Sequence, residues 1–233
     1  MDRKGFLTSS ATLAAATGVS GPPGIPGGTH RVERRGDFDE RQFAGIVGRP
    51  AAIRQLYEAV AFAPAVLGSI KNSFNGLQFG FGYAPDAIAI VLAGHGPSSA
   101  YAYDDGLWAT YRIGEFLKID DAQGRPMTAN TFVTPHAPFD VRANPDDDAG
   151  MYQDASIGTL QRRGLIVLTC HTAVEEQARS IVAKGFAPAG LSASDVAGDI
   201  LTHLIPGALV VPSMVATIAV LQSRYHYTYL TPF

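Results

Sequence analysis

The sequence predicts an α/β fold, a three-layer sandwich with helices on both faces of a central, mostly parallel sheet. The first observation is a pair of uninterrupted apolar or β-branched runs, at residues 87–93 and 165–170. Such runs are typical of strands that are buried on both faces of a parallel sheet. The second observation is that strand-like and helical patterns alternate from residue 87 to residue 230. This alternation predicts right-handed crossovers between neighbouring parallel strands.

Composition excludes several classes of protein. The chain has 233 residues, of which 46% are hydrophobic and 17% charged, which is enough for one well-buried core. The net charge of -3 gives no basic surface for nucleic acid. No apolar run reaches the length of a transmembrane helix. Cys170 is the only cysteine, so no internal disulfide can form, and the six histidines lack the spacing of a dedicated zinc site.

Residues 1–20 are predicted to be an export signal. Arg3 and Lys4 precede Phe6-Leu7 and a weakly apolar segment rich in Ala, Thr and Ser. This pattern is similar to a twin-arginine (Tat) signal in which Lys4 replaces the second arginine, and it predicts an exported, periplasmic protein. The alternative is an N-terminus without regular structure. Residues 21–36 are rich in proline and glycine and are predicted to be a linker, so a single folded domain is expected over residues 37–233.

The first part of that domain, residues 37–81, is predicted to be a helical extension. Pro50 suits the first turn of a helix that runs through Ile53, Leu56, Tyr57 and Val60. A second helix is expected to begin at Pro64, because apolar residues then recur at steps of three and four.

The remaining elements follow in order. The strand at 87–93 ends in the sequence Gly-His-Gly-Pro at residues 94–97, and Asp104 can cap a helix that extends to Phe116. A long loop spans residues 120–150. The later elements are a helix near 157–160, a strand at 165–170, helices at 172–183 and 194–204, a strand at 208–211, a helix capped by Ser213, and a strand at 225–230.

The order of these elements resembles the DsrE/DsrF-like family. Three segments carry the resemblance: the Gly-His-Gly-Pro sequence after the first strand, Arg163-Gly164 with the following strand and Cys170, and the closing segment at 206–227. The resemblance implies a small α/β fold, a homotrimer or homohexamer, and a role in sulfur metabolism. In sulfur-relay members the cysteine at the place of Cys170 carries a persulfide. The family's usual first strand has no evident counterpart, because residues 39–81 are predicted to be helical.

Cys170, His171 and His95 are the candidate catalytic residues. Ligands of parallel sheets collect beyond the carboxyl ends of the strands, which is where Cys170 and His95 are predicted to lie. The N–H groups at the start of the helix after Cys170 can stabilise negative charge on its sulfur. His171 could accept its proton, and His95 could act as acid or base if the two strands are neighbours. The alternative is a buried structural cysteine.

Gly94, Gly96, Pro97 and His136 are the candidate substrate-binding residues. The two glycines allow close approach of the backbone to a ligand. His136 lies in the long loop, from which it could fold over the site; the alternative is an exposed loop histidine.

These features predict an exported protein that handles or transfers sulfur through Cys170. The expected partner is a small sulfur-containing ligand or a sulfur-carrier protein. No glycine-rich nucleotide-binding motif follows a strand, so no cofactor is predicted. Two alternatives stay open: a non-catalytic oligomeric binding or assembly module with a structural cysteine, and a metal site that combines Cys170 with His95, His171 or His136.

Overall fold

The structure, a computed structural model, describes residues 33–35 and 38–231. The strands within these residues are β1 (Ile53–Ala59), β2 (Ile88–Gly94), β3 (Leu165–Cys170), β4 (Ala208–Val211) and β5 (Thr228–Leu230). The α-helices are α1 (Glu40–Val47), α2 (Ala65–Asn75), α3 (Asp105–Thr110), α4 (Ile113–Leu117), α5 (Ile157–Arg162), α6 (His171–Ala183), α7 (Ala193–Thr202) and α8 (Met214–Tyr225). A 3₁₀ helix spans Gly96–Ala102. The predicted export signal and most of the predicted linker lie outside the described residues.

The five strands form one parallel sheet with the order β4-β3-β2-β1-β5. Every residue of β2 and β3 is buried, as the uninterrupted apolar runs predict. The carboxyl ends are aligned, since Gly94 of β2 pairs with Ala59 of β1 on one side and with Thr169 of β3 on the other. The predicted α/β fold with a central parallel sheet is therefore confirmed.

The sheet buries a separate apolar cluster on each face. On the first face, Ile90 and Val167 of the sheet pack with residues of α2 and α5. On the second face, Val91 and Leu168 pack with residues of α1 and α8. Successive side chains of a strand point to opposite faces, which explains how one apolar strand serves both clusters. Helices on both faces give the three layers that the sequence predicts.

The main correction concerns the N-terminal part of the domain. Residues 53–59 form β1 rather than a helix, and Pro50 lies outside any helix. The spacing of Ile53, Leu56 and Tyr57 fits a helical period, but β1 pairs on both edges, with β2 and β5. Those partners lie far away in sequence, so tertiary pairing overrides the local pattern. The helices α1 and α2 on either side of β1 do fall in the part predicted to be helical.

The predicted helix from Asp104 to Phe116 is divided into α3 and α4. Asp104 caps α3 as expected, because its Oδ1 accepts a hydrogen bond from the N–H of Leu107 at 2.9 Å. The break comes at Arg112, which has a left-handed backbone with φ of 47°. Farther along the chain, the final strand is shorter than predicted and comprises Thr228–Leu230.

The long loop before α5 is anchored by the buried carboxylate of Asp154. This side chain is 2% exposed and accepts hydrogen bonds from the N–H groups of His136 and Ser156 at 2.9 and 2.8 Å. It also accepts from Thr159 Oγ1 at 2.6 Å. Burial raises the pKa of Asp154, but the hydrogen bonds from Thr159, Ser156 and His136 outweigh it and bring the pKa to about 2. Asp154 is therefore a charged anchor between the loop and α5.

Candidate functional site

Cys170 occupies the predicted position at the carboxyl end of β3. Its sulfur lies at the amino-terminal ends of two helices, α6 and α8. As the N-cap residue of α6, Cys170 accepts a hydrogen bond at Sγ from the N–H of Ala173, at 3.4 Å. Sγ also accepts from the N–H of Met214, the first residue of α8, at 3.3 Å. The N–H groups of the first turn of a helix have no partner within the helix, and they carry its positive dipole end. Both helices thus direct positive charge at one sulfur atom.

The surroundings of Cys170 are more closed than the sequence suggests. The residue is 4% exposed and packs in the second-face cluster with Leu168, Val211 and Met214. The 3₁₀ helix Gly96–Ala102 packs against β2, β3 and α6 near this end of the sheet. A small reagent can approach a sulfur in such a place far more readily than a bulky one. These contacts enclose Cys170 at the carboxyl end of β3.

His95 comes to the same end and the same face of the sheet. Ala93 of β2 pairs with Leu168 of β3, and both side chains lie in the second-face cluster. His95 and Cys170 each come two residues later. His95 keeps an extended backbone, and its N–H continues the ladder to Ala59 O at 3.0 Å. The period of two along a strand therefore places His95 and Cys170 on adjacent strands, facing the same side.

A carboxylate and a phenol extend this arrangement. His95 Nε2 lies 2.8 Å from Glu58 Oε1, and the two side chains are mostly buried. The hydroxyl of Tyr229 donates a hydrogen bond to Glu58 Oε2. This hydrogen bond, with burial and the nearby negative charge, raises the pKa of Tyr229 to about 12. Tyr229 of β5, Glu58 of β1 and His95, directly after β2, follow the strand order of the sheet, in which β3 with Cys170 is the next strand.

Sequence reasoning missed Glu58 and Tyr229. Glu58 lies in the segment that was predicted to be a helix, and Tyr229 lies in a strand whose neighbour could not be predicted. The available signal was a single acidic residue near the end of a mostly apolar run at 56–60. That signal has meaning only when the run is recognised as a strand beside β2.

The other predicted residues near Cys170 have structural contacts. His171 is buried in the first turn of α6, and the hydrogen bonds at Cys170 Sγ come from backbone N–H groups rather than from His171. Gly96 has φ of 58°, which favours glycine, and its carbonyl accepts a hydrogen bond from Gln177 Nε2 of α6. Pro97 continues the same turn. The turn at Gly96 and Pro97 is therefore held against α6 by this hydrogen bond.

Gly94 is required by close packing at the end of β2. A Cβ atom there would lie 3.0 Å from the carbonyl oxygen of Ser98. We predicted that Gly94 lets a ligand approach the backbone; in the structure, the group that approaches it closely is the backbone carbonyl of Ser98.

His136 lies away from Cys170. It lines a cavity with Leu67 of α2, which belongs to the cluster on the first face of the sheet, whereas Cys170 belongs to the second. Its side chain is 69% exposed, and its Nδ1 is 3.3 Å from Asp154 Oδ1. The structure does not bring His136 together with the other candidate residues.

Within residues 33–35 and 38–231, no group of three or more His, Cys, Asp or Glu side chains is arranged to hold a metal ion. In the same part of the chain, no helix has both the length and the apolar character needed to cross a membrane. No protein-family model, curated protein or solved structure matches the chain, so the resemblance to the DsrE/DsrF-like family stays a prediction.

Proposed function

We propose that the protein handles sulfur and that Cys170 accepts a sulfane sulfur from a small donor and passes it on. The single observation that carries the proposal is the convergence of two helix N-terminal N–H groups on Cys170 Sγ. These donors stabilise negative charge on sulfur, which the thiolate and the persulfide anion both carry.

The proposed step balances without an oxidant or a reductant. The Cys170 thiolate attacks the outer sulfur of a persulfide donor, and an S–S bond forms as the donor's own S–S bond breaks. A persulfide donor leaves as a thiolate and takes up the proton that Cys170 released, whereas thiosulfate, attacked at its own outer sulfur, leaves as sulfite. Attack of an acceptor thiolate on the same outer sulfur then returns Cys170 to its starting form.

We assign the transfer of that proton to His95. Glu58 Oε1, 2.8 Å from His95 Nε2, orients the imidazole. Tyr229 holds the far oxygen of Glu58 in turn. An activated nucleophile is commonly accompanied by a base and by a third group that orients the base. Here His95 is the base and Glu58 is the orienting carboxylate. In this proposal His95 exchanges protons with Cys170, while Glu58 and Tyr229 act as positioning residues.

The enclosure of Cys170 favours a compact donor, such as a small persulfide, polysulfide or thiosulfate. The resemblance to the DsrE/DsrF-like family supports the same chemistry and, with it, a homotrimer or homohexamer. The Arg3-Lys4 segment supports export to the periplasm.

Mass spectrometry of the intact protein tests the function. After reduction and incubation with a small persulfide or thiosulfate, we expect a gain of one sulfur atom on Cys170 that a thiol reductant removes. Cys170→Ser should show no gain, and His136→Gln, a change to an exposed histidine on the other face, should behave like wild type. A Cys170 that reacts with iodoacetamide yet never gains sulfur would refute the proposal.

A second candidate, a non-catalytic binding or assembly module, is favoured by the 4% exposure of Cys170. It predicts that Cys170 in the native protein resists both the sulfur donor and iodoacetamide, and that it reacts only after unfolding. The same measurements therefore separate the two candidates.

A further inference from the structure

A cavity lies at the amino-terminal end of the sheet, opposite to the end that carries Cys170. Its volume is about 340 Å³, at the lower end of the range for small-molecule sites. Gly164, directly before β3, and Asp86, just before β2, both line it, so it is remote from the carboxyl ends that carry Cys170. Its walls are largely apolar and include Phe74, Tyr152 and Phe139.

Arg163 lines this cavity with a guanidinium group whose hydrogen bonding is incomplete. The residue is only 7% exposed, and its Nη2 donates to Asn75 Oδ1 at 2.7 Å. Its Nη1 is buried and has no hydrogen-bond partner among the described residues. No described carboxylate forms an ion pair with Arg163, and burial lowers its pKa to about 10. A buried guanidinium without a counter-charge is costly, which gives an anion a reason to bind.

The guanidinium is also held rigidly. It lies over the ring of Phe74 at 5.0 Å and over the ring of Tyr152 at 5.1 Å. These two contacts and the hydrogen bond to Asn75 fix its orientation before any ligand arrives. A preformed donor loses little conformational entropy on binding, so more of the interaction energy appears as affinity.

The rim of the cavity adds positive charge. Arg162 lies 5.8 Å from the ring centroid of Phe139, and both residues line the cavity. Arg49 also lines it and donates from Nη1 to the carbonyl of Asp86 at 3.0 Å. Among the described residues that line the cavity, one carries a carboxylate, Asp86, and three are arginines. The lining therefore combines an excess of positive charge with an aromatic wall.

We propose that this cavity binds a small organic anion, a carboxylate on a flat apolar body. The carboxylate accepts hydrogen bonds from the unpaired Nη1 of Arg163, and the body packs on Phe139 and the neighbouring apolar wall. Arginine suits this role because its planar donors match a carboxylate. The inference is independent of sulfur chemistry at Cys170, since the two sites lie at opposite ends of the sheet.

Isothermal titration of the full chain with benzoate, benzamide and inorganic phosphate tests the proposal. We expect benzoate to bind, and benzamide, which has the same shape without the charge, to bind at least about tenfold more weakly. Phosphate should also bind more weakly than benzoate, because it cannot use the apolar wall. Equal binding of benzamide would overturn the role of charge, and equal binding of phosphate would overturn the organic class.

Two variants and a control locate the site. Arg163→Met should abolish benzoate binding, and Phe139→Ala, at the more exposed rim, should weaken it while leaving the fold intact. Arg125→Gln, at an exposed arginine that does not line the cavity, should leave affinity unchanged. Should Arg163→Met fail to fold, the Phe139→Ala variant and the comparison of benzoate with benzamide decide alone. Unchanged benzoate affinity in folded Arg163→Met, or in Phe139→Ala, would overturn the assignment.

Discussion

Replacing Asp154 by asparagine tests how the long loop is held. The carboxylate accepts from two backbone N–H groups and from the hydroxyls of Ser156 and Thr159. An asparagine has the same shape but no charge. Its NH₂ group cannot accept hydrogen bonds, so the donors that faced that oxygen of Asp154 are left without an acceptor. The loop and α5 should therefore separate more readily in Asp154→Asn.

The magnitude follows from the depressed pKa of Asp154. Its pKa falls from the ordinary 3.8 to about 2 in the folded protein. At about 1.4 kcal/mol for each pKa unit, the ionised carboxylate contributes at most about 2.5 kcal/mol to the free energy of unfolding. Because the folded pKa lies below the unfolded one, this stabilisation is fully present above about pH 4 and is lost as the pH falls toward about 2.

Urea unfolding followed by circular dichroism measures the effect. At neutral pH, Asp154→Asn should lower the free energy of unfolding by about 1 to 3 kcal/mol, with an unchanged dependence on urea. The difference from wild type should shrink as the pH is lowered below about 4. Asp148→Asn, at an exposed position of the same loop, serves as the matched control. A difference that is small at neutral pH, or that stays constant down to low pH, would refute the reasoning.

Four further changes have defined outcomes. Glu58→Gln should slow persulfide formation without preventing it, because His95 keeps its place and loses its carboxylate; rates by mass spectrometry check this, and an unchanged rate would argue against the role of His95. Tyr229→Phe should remove one phenol whose pKa is raised to about 12, so an ultraviolet pH titration should show one tyrosine fewer in its high-pH component; an unchanged high-pH component would contradict the hydrogen bond to Glu58. Cys170→Ala should be less stable than Cys170→Ser by about 1 kcal/mol in urea, since serine keeps an acceptor for the two helix N–H groups; equal stability would contradict the capping role. Gly114→Ala should lower the melting temperature strongly, because its Cβ would overlap the backbone of Met127; a melting temperature like that of wild type would refute this packing.

The two apolar strands, and the crossovers between strands, could be predicted from the residue pattern that burial in a parallel sheet requires. Such a strand must be apolar on both faces, and residues 87–93 and 165–170 show this directly. The helix starts at Asp104 and after Cys170 were equally visible, because a cap is a local feature. Strand β1 was not visible, because Arg54, Gln55 and Glu58 interrupt its apolar character and its partners lie elsewhere in the chain.

The sequence by itself determined the fold class, the site of Cys170 at the end of a buried strand, and the helix that begins there. These features depend on residues that are close together along the chain. Only the tertiary structure decided that Met214 directs a second helix at the same sulfur, that Glu58 supports His95, and that His136 lies on the other face. The physical reason is that strand order and the approach of distant helices depend on packing between segments, which local periodicity does not record.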